Sequence, residues 1–600
     1  MTSMWTIDFE TDAIAGNPTV NPPKPVGVAT KRPGYKSVYR SWGHPSGNTH
    51  TFEEAKAHLH KIVDSGAPLL FHNAKFDLSV MRKWFGIVPK SNPIHDTMFM
   101  IALYDPYAAT FSLKPSAERI LNIAPEEQDA LHDWIMAHVP QATHKTAGAY
   151  IALAPAEIVK PYARGDVDRT EALYLFLKDK IPLAAYDRER ALLPIIMESE
   201  QRGVNVDEHR LCEDMAGYEG ALLRLNDKIH GLLKNDSVNL DSGTELANAL
   251  DSAGFIGEWQ LTPTGKRSTS RDNLERAIAN PKVLGLLQYR GALSHCLSSF
   301  GRPWVTLVRE YNGRLHPDWN QVRQARGDDI KGTRTGRLSC GKPNFQNMPN
   351  EYEVAIPKGF PALPIMRQYL IPDKGYVWLK RDYSQQELRI LAHYSDGRLL
   401  ARYKANPRID AHEETSALIT EHTGLTLPRK HVKITGFSTI YGAGVFGLSQ
   451  QLKVIPHEAK QVRDAYYAAL PEVPELMKEC QKIGRSGGSI TTWGGRSYAS
   501  EPPKLVNGRM MEFHYKLLNY LIQGSAGDCT KEGIIRWNSA KGTGQFLATV
   551  HDENDIQAPK EDWKREMGYL RRAMESIEFD VQMLSDGFYG NTWADLKACE

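Results

Sequence analysis

Four acids near the N-terminus have the types and spacing for metal-dependent chemistry. Asp8 and Glu10 lie two residues apart on one strand, which begins with the strand-like run Trp5–Phe9, and a period of two puts both on one face. Asp77 follows in HNAKFD, and Asp166 in YARGDVDRT, four residues after Tyr162. On a helix that spacing gives Tyr162 and Asp166 a common face. Converging carboxylates repel, by about 4 kcal/mol for two unit charges 4 Å apart at an effective dielectric of 20. Hard divalent ions relieve the repulsion, and Mg²⁺ favours carboxylates together with substrate phosphates. Two such ions can activate water and hold the leaving oxygen of a phosphodiester. Singly each piece is ordinary, since D-x-E on a strand is most often a solvated edge. The ordered set carries the argument.

A second set of acids lies in the C-terminal half. In YVWLKRDYSQQELRILAHYS, Asp382 ends an apolar strand and a helix-like run follows; VHDE puts Asp552 and Glu553 in the turn of a hairpin. Acids so far apart in sequence meet only if their strands are neighbours. Between them lies PRKHVKITGFSTIYG, where Arg429, Lys433, Phe437 and Tyr441 recur every four residues. Pro428 suits the first turn of a helix and Gly442 its end. The four side chains form one slowly drifting stripe about 18 Å long, cationic at one end and aromatic at the other. Such a stripe suits a ligand with phosphates at one end and a flat ring at the other, such as a nucleotide. Thr435, Gly436, Ser438 and Thr439 are poor helix formers, so this helix needs tertiary support.

The ordered set DFETD, HNAKFD, Y-x-x-x-D resembles the DEDDy class of 3′→5′ exonucleases. DYSQQELR, R-x3-K-x3-F-x3-YG and VHDE resemble motifs A, B and C of family A DNA polymerases, and GTRTGRLSCGKPNFQNMP resembles a further signature of that family. The resemblance covers essentially the whole chain. It implies an α+β and α/β multidomain fold: a ribonuclease H-like exonuclease domain, then a right-hand polymerase with palm, fingers and thumb. It also implies template-directed DNA polymerase activity with 3′→5′ proofreading, with primer-template DNA and dNTPs as partners. Mg²⁺ is implied as cofactor, two ions per active site, with Mn²⁺ a possible substitute.

Residue by residue, the resemblance makes Asp8, Glu10, Asp77 and Asp166 metal ligands, with Tyr162 orienting the attacking water. It makes Asp382 and Asp552 metal ligands of the polymerase site and Glu553 their support. Arg429, Lys433 and His412 grip the triphosphate, and Lys433 is a candidate acid for the pyrophosphate. Phe437 and Tyr441 pack on the incoming sugar and base. Glu387 pairs with Tyr441 and crowds the 2′ position. Arg337, Asn344, Gln346, Gln523 and His551 contact the duplex minor groove, where every Watson–Crick pair offers similarly placed acceptors; for Asn344 and Gln346 alone, loop capping is the competing reading. Cys340, Gly436 and Tyr515 depart from the bacterial pattern. Alternative readings are a bacterial-type repair polymerase, a single-subunit RNA polymerase (opposed by Glu387 and the exonuclease acids), a nuclease with an inactive polymerase-like body, and a non-catalytic DNA-binding scaffold.

The elements that must position these residues divide by texture. Residues 1–185 mix short strands and helices, 190–300 are largely helical, 313–400 mixed and 401–485 mostly helical, and 545–558 form two short strands around a polar turn. Segments rich in Gly, Ser, Thr and Pro at 235–272 and 485–505 are expected as flexible connections. With the resemblance, the expected domains are exonuclease 1–187, thumb 188–312, palm 313–400, fingers 401–505 and palm again 506–600. No 5′-nuclease domain and no thioredoxin-type partner are expected.

Composition bounds the classes. The 600 residues carry 73 basic and 71 acidic side chains, a net charge of +2, which excludes a strongly basic packaging protein or an acidic tail protein. The balance hides segregation: residues 191–260 carry 5 basic and 13 acidic residues, residues 261–345 carry 15 and 6. The basic block is where phosphate contacts are expected. Six cysteines with no C-x-x-C pair make zinc and disulfide readings weak and fit a reducing cytoplasm. The N-terminus lacks a basic n-region, and no apolar run approaches membrane-spanning length. A cytoplasmic monomer that replicates a phage genome, in the host's cytoplasm if phage-encoded, is the expectation.

Overall fold

A computed structural model describes residues 4–262, 265–326, 329–506 and 508–599. Its N-terminal unit is built on a five-stranded sheet in the order Val38–Ser41, Pro25–Lys31, Trp5–Thr11, Leu69–Phe71, Ile94–Asp96. The first three strands are antiparallel and the last three parallel. Strand Trp5–Thr11 is therefore central. Its Ile7 and Phe9 enter an apolar core with Leu59, Leu69 and Phe85. Alternation sends Asp8 and Glu10 to the opposite face, where helix Ala156–Leu177 packs. Helix Ala74–Val80, which carries Asp77, is fixed by Asp96. That one buried carboxylate accepts from the backbone N–H groups of Asn73 (3.0 Å), Ala74 (2.8 Å) and Met98 (2.8 Å). It thereby closes the N-termini of two helices, and burial raises its pKa to about 6.

Helix Leu183–Arg202 leads from this unit into the rest of the chain. Helices Glu208–Leu233 and Pro281–Cys296 pack together over Leu211, Leu225, Leu286 and Leu293, as their 3.6-residue periodicity predicts. The two expected flexible connections are instead partly ordered. In the first, Ser242 caps helix Gly243–Ser252 by accepting from the Glu245 N–H at 3.3 Å. In the second, Ser489–Thr491 pairs antiparallel with Ser497–Ala499 and buries Ile490 and Tyr498.

A second five-stranded sheet, wholly antiparallel, runs in the order Gln545–Val550, Glu553–Pro559, Tyr376–Tyr383, Ser585–Gly590, Lys597–Cys599. The two strands expected around VHDE are the first two. Tyr376–Tyr383 is again central, and beneath it Trp378 stacks on Trp593 with ring centroids 5.1 Å apart. Helices Ala411–Thr423, Arg429–Ile440, Val445–Leu452, Pro456–Ala469 and Glu472–Arg485 form the helical block expected over 401–485. Among the described residues no helix is long and apolar enough to cross a membrane.

Candidate active sites

In the N-terminal unit, Asp8, Glu10 and Asp166 each offer an oxygen within 4.8 Å of the others, the one such group among the described residues. Asp77 joins them through the backbone: its Oδ1 accepts from the Phe9 N–H at 3.2 Å, tying its helix to the strand between the two acids. Burial, then the neighbouring Asp166, pushes Asp8 up to about 8. Burial and the other acids likewise hold Glu10 and Asp77 well above the usual carboxylate range, and burial raises Asp166. The Glu10 Oε1 is buried without a hydrogen-bond partner. An all-oxygen cluster, crowded and under-satisfied, fits a hard divalent cation. Tyr162 lies one turn from Asp166 on the same helix; burial and the acids raise its hydroxyl pKa far above normal, so it stays a donor.

Lys114 was missed by the sequence reading. Its Nζ pairs with Asp166 at 2.5 Å and stands 3.7 Å from the Tyr162 ring centroid. It offsets part of the acid–acid repulsion at Asp8, Glu10 and Asp166. In LKPSAERIL nothing local distinguishes it from a lysine on a solvated helix face.

In the second sheet Asp382 and Glu553 are direct cross-strand partners. Asp552 occupies the turn before Glu553, and its carbonyl accepts from the Tyr383 N–H at 3.2 Å. Burial, then Asp552 and Glu553, raises Asp382 to about 8, and burial raises Asp552 to about 6. Glu553 differs. Its Oε1 accepts from Arg367 (3.3 Å) and Trp593 Nε1 (3.1 Å), and its Oε2 pairs with Lys380. The two cations outweigh burial and hold its pKa below normal. Glu553 is thus committed to three donors, and the two aspartates are the less satisfied acids of the group. Asp586 is a further acid that the motifs did not flag. It sits opposite Asp382 on the other neighbouring strand and accepts from the Ser384 hydroxyl.

The stripe lies on helix Arg429–Ile440, with Tyr441 closing it and Gly442 at φ +71°. Arg429, Lys433 and Tyr441 are exposed and Phe437 is half-buried. The poor helix formers Thr435, Gly436, Ser438 and Thr439 are all buried against the surrounding helices, which supply the expected tertiary support. Gly436 is a close-approach site: a Cβ there lies 3.1 Å from the Tyr466 hydroxyl. His412, on helix Ala411–Thr423, faces Phe437 with ring centroids 6.0 Å apart. Burial, with Arg429 and Lys433 nearby, lowers it to about 4, so it is neutral at pH 7. Arg429 is paired with Asp410, its Nε 3.0 Å from Oδ2.

The expected direct Glu387–Tyr441 bond is replaced by a bridge, with Arg337 bonded to both side chains. Glu387 Oε1 accepts from Arg337, while the Tyr441 hydroxyl accepts from Gln523 Nε2 at 2.7 Å. Arg337 prevails because a guanidinium gives a carboxylate a charge-assisted bond that a phenol cannot match. The Glu387 Oε2 remains buried without a hydrogen-bond partner.

Of the expected minor-groove contacts, Arg337, Gln346 and His551 line one small crevice, with His551 at φ +60° in the turn beside Asp552. Gln346 spends its amide on backbone: Oε1 accepts from Cys340 N–H, and Nε2 donates to the carbonyls of Leu338 and Thr549. Asn344 caps the short helix Phe345–Asn347 by accepting from the Gln346 N–H. The capping reading therefore describes both in this state. Cys340 is buried, with its thiol on the Pro343 carbonyl, and Tyr515 packs on Gly442.

Comparison with known proteins bears on both sites. Residues 48–182 match the 3′-5′ exonuclease family. That segment holds Asp77, Tyr162 and Asp166; strand Trp5–Thr11 precedes it, so geometry is what joins Asp8 and Glu10 to the set. The thermostable DNA polymerase I of Thermus aquaticus is 30% identical over 68% of this chain and 48% of its own length. DNA polymerase I of Rhizobium leguminosarum is 26% identical over 89% and 51%. The chain spans about half the length of the curated relatives it matches. In fold it is similar to the POL domain of Pol1 from M. smegmatis, solved in complex with DNA primer-template and dNTP. The TM-score is 0.77 at 22% identity, over 99% of this chain and 97% of that one. That likeness carries the fold, and the two family matches divide it into an exonuclease part and a polymerase part. Residues 209–595, more than half of the chain, match the model of DNA polymerase family A, and the chain belongs to that family.

Proposed function

We propose that this chain is a template-directed DNA polymerase with a 3′→5′ proofreading exonuclease. The observation that carries the reading is the cross-strand pairing of Asp382 with Glu553, with Asp552 in the intervening turn and linked through Arg337 and Glu387 to Tyr441, the aromatic end of the cation-to-aromatic stripe. The ligands named in the solved neighbour, primer-template DNA and dNTP, support the substrate class.

Asp382 and Asp552, and separately Asp8, Glu10, Asp77 and Asp166, would hold Mg²⁺, which when bound activates an oxygen nucleophile and neutralises charge on the phosphoryl group. The chain's own residues do the rest. Arg429 and Lys433 bind the triphosphate, and Lys433 delivers a proton to the departing pyrophosphate. Neutral His412 donates a hydrogen bond without adding charge. Phe437 and Tyr441 hold the sugar and base, and Glu387, fixed by Arg337, crowds the 2′ position. Arg337, Gln523 and His551 meet the minor groove, whereas Asn344 and Gln346 shape that surface through backbone bonds. In the exonuclease site, the protonated Tyr162 hydroxyl orients the attacking water. The domain boundaries 1–187, 188–312, 313–400, 401–505 and 506–600 belong to this reading.

The test separates the two sites. Asp382→Ala abolishes primer extension and retains 3′ degradation of a mismatched primer; Asp8→Ala does the reverse. Normal extension by Asp382→Ala, or undiminished degradation by Asp8→Ala, removes the corresponding assignment.

A further inference from the structure

Helix Leu183–Arg202 serves two cores at once. Its Leu193 and Met197 enter the core of the N-terminal unit, while Leu192 and Ile196 enter the core beneath the second sheet. Apolar contact of this kind is non-directional, and units of one chain move relative to each other unless their interface is large. A fixed angle between the two catalytic sites therefore needs directional contacts that reach past this helix.

Lys75 supplies such contacts. It stands two positions before Asp77, so the two side chains leave helix Ala74–Val80 about 200° apart, on opposite sides. Asp77 turns to the strand of Asp8 and Glu10 through the Phe9 N–H. Lys75 Nζ turns the other way and donates to Glu200 Oε1 (2.9 Å), Asp318 Oδ1 (3.0 Å) and the Trp319 carbonyl (2.8 Å). Among the described residues no other ion pair joins residues 4–182 to residues 183–599. Hydrogen bonds cross as well at residues 107–108, from the Tyr107 hydroxyl to the Ala499 carbonyl (2.7 Å) and from Arg323 to the Ala108 carbonyl (3.3 Å). With that second attachment, loss of Lys75 loosens an angle without parting the units.

The far side of the Lys75 contact leads to the loop expected in the minor groove. Trp319 and Asn320 pair antiparallel with Cys340 and Ser339. The Trp319 N–H donates to Glu200 Oε1 at 2.5 Å, and the Gly341 N–H donates to the Asp318 carbonyl at 2.6 Å. Gly341 packs closely there, since a Cβ on it lies 3.0 Å from Asp318 Oδ2. Gln346 holds the same loop through the Cys340 N–H and the Leu338 carbonyl, and lines one crevice with Arg337 and His551. A continuous series of bonds thus runs from that crevice to Lys75, and one helix carries it on to Asp77.

A strand can reach the exonuclease acids by two routes. A free single strand binds there from solution. A mismatched primer end arrives while its duplex is still held by the polymerase body, and such an intramolecular delivery is lost when the geometry between the two sites is wrong.

We infer that Lys75 is a positioning residue for proofreading: it braces the exonuclease acids against the minor-groove loop, so that a mismatched primer end meets them while its duplex stays held. The inference rests on the polymerase and proofreading reading, and it assigns to one side chain the geometry between the two sites.

The experiment compares the parent chain with Glu200→Gln and with Lys75→Met/Glu200→Gln. Glutamine removes the buried charge that Lys75→Met alone would strand, and Glu200→Gln by itself leaves Lys75 on Asp318 and Trp319. Each protein receives a single-stranded oligonucleotide, a primer-template with a mismatched 3′ end, and a matched primer-template with dNTPs. Glu200→Gln is expected to match the parent on all three. The double variant is expected to stay within about twofold of the parent on the single strand and in matched extension, and to degrade the mismatched primer about tenfold more slowly or worse. Matched extension certifies folding and duplex binding. Equal slowing on the single strand and the mismatched primer puts the defect inside the exonuclease site and overturns the inference, as does parent-like degradation of both. Lost matched extension marks a general structural role and overturns it too. A Glu200→Gln chain as slow as the double variant moves the role to Glu200 and overturns the assignment. A parent that degrades neither substrate is a different result: it removes the proofreading reading, and the brace with it.

Discussion

The Lys75→Met substitution probes the joint between the exonuclease unit and the rest of the molecule. Lys75 lies on the helix that carries Asp77. Its Nζ reaches across to Glu200 Oε1 (2.9 Å), Asp318 Oδ1 (3.0 Å) and the Trp319 carbonyl (2.8 Å). Glu200, on the connecting helix, has no exposed side-chain surface. Burial raises its pKa above 4.5, and Lys75 is the group that most opposes the rise. Methionine keeps the length of the side chain and removes the charge. Leaving Glu200 ionised and unpaired costs about 3–5 kcal/mol, but protonation caps that cost. The cap is about 1.4 kcal/mol for each pH unit above 4.5, hence about 5 kcal/mol at pH 8 and about 1 kcal/mol at pH 5.5. The sign follows from proton uptake. A carboxyl whose folded pKa lies above its unfolded value binds more protons when folded, so stability falls as pH rises through that window, and the substitution widens the window. Thermal unfolding of parent and variant at pH 5.5 and 8.0 measures this. The expected result is a loss at pH 8.0 several times that at pH 5.5, largely restored at pH 8.0 by adding Glu200→Gln. An equal loss at both pH values refutes the argument, as does no loss at pH 8.0.

Other substitutions give separate readouts. Glu387→Ala raises ribonucleotide incorporation and frees Arg337; unchanged sugar selectivity removes the gate. Lys531→Met strips one cation from the buried group in which Glu189 meets Lys531 and Arg496, and Arg496 meets Asp528. Loss of about 3–5 kcal/mol of stability at pH 7 is expected, read by denaturant unfolding, and a variant as stable as the parent contradicts it. The proposed placement of the basic span 261–345 against phosphates predicts a primer-template affinity that falls steeply with salt; a Kd that holds constant between 50 and 200 mM salt (roughly the range over which phosphate contacts are felt) contradicts that placement.

Much of both sites was legible in the sequence because the rules that place them are local. Period two sets Asp8 beside Glu10, a helical turn sets Tyr162 over Asp166, and a four-residue recurrence aligns Arg429, Lys433, Phe437 and Tyr441. Even the missed helix Gly243–Ser252 had a local signal, Ser242 three residues before Glu245, which matches a capping pattern. The polar composition around it pointed to a connection and masked that signal.

The sequence by itself determined which residues could do chemistry and in what order they occur. The tertiary structure decided their partners. Lys75 meets Glu200 across 125 positions and Asp318 across 243. Lys114 reaches Asp166 across 52, and Glu553 is claimed by Arg367 across 186. No periodicity spans such distances. Whether a carboxylate stays crowded among other acids, as Asp8 and Glu10 do, or is matched by cations, as Glu553 is, depends on which cations folding brings within about 4 Å and on how much water it removes.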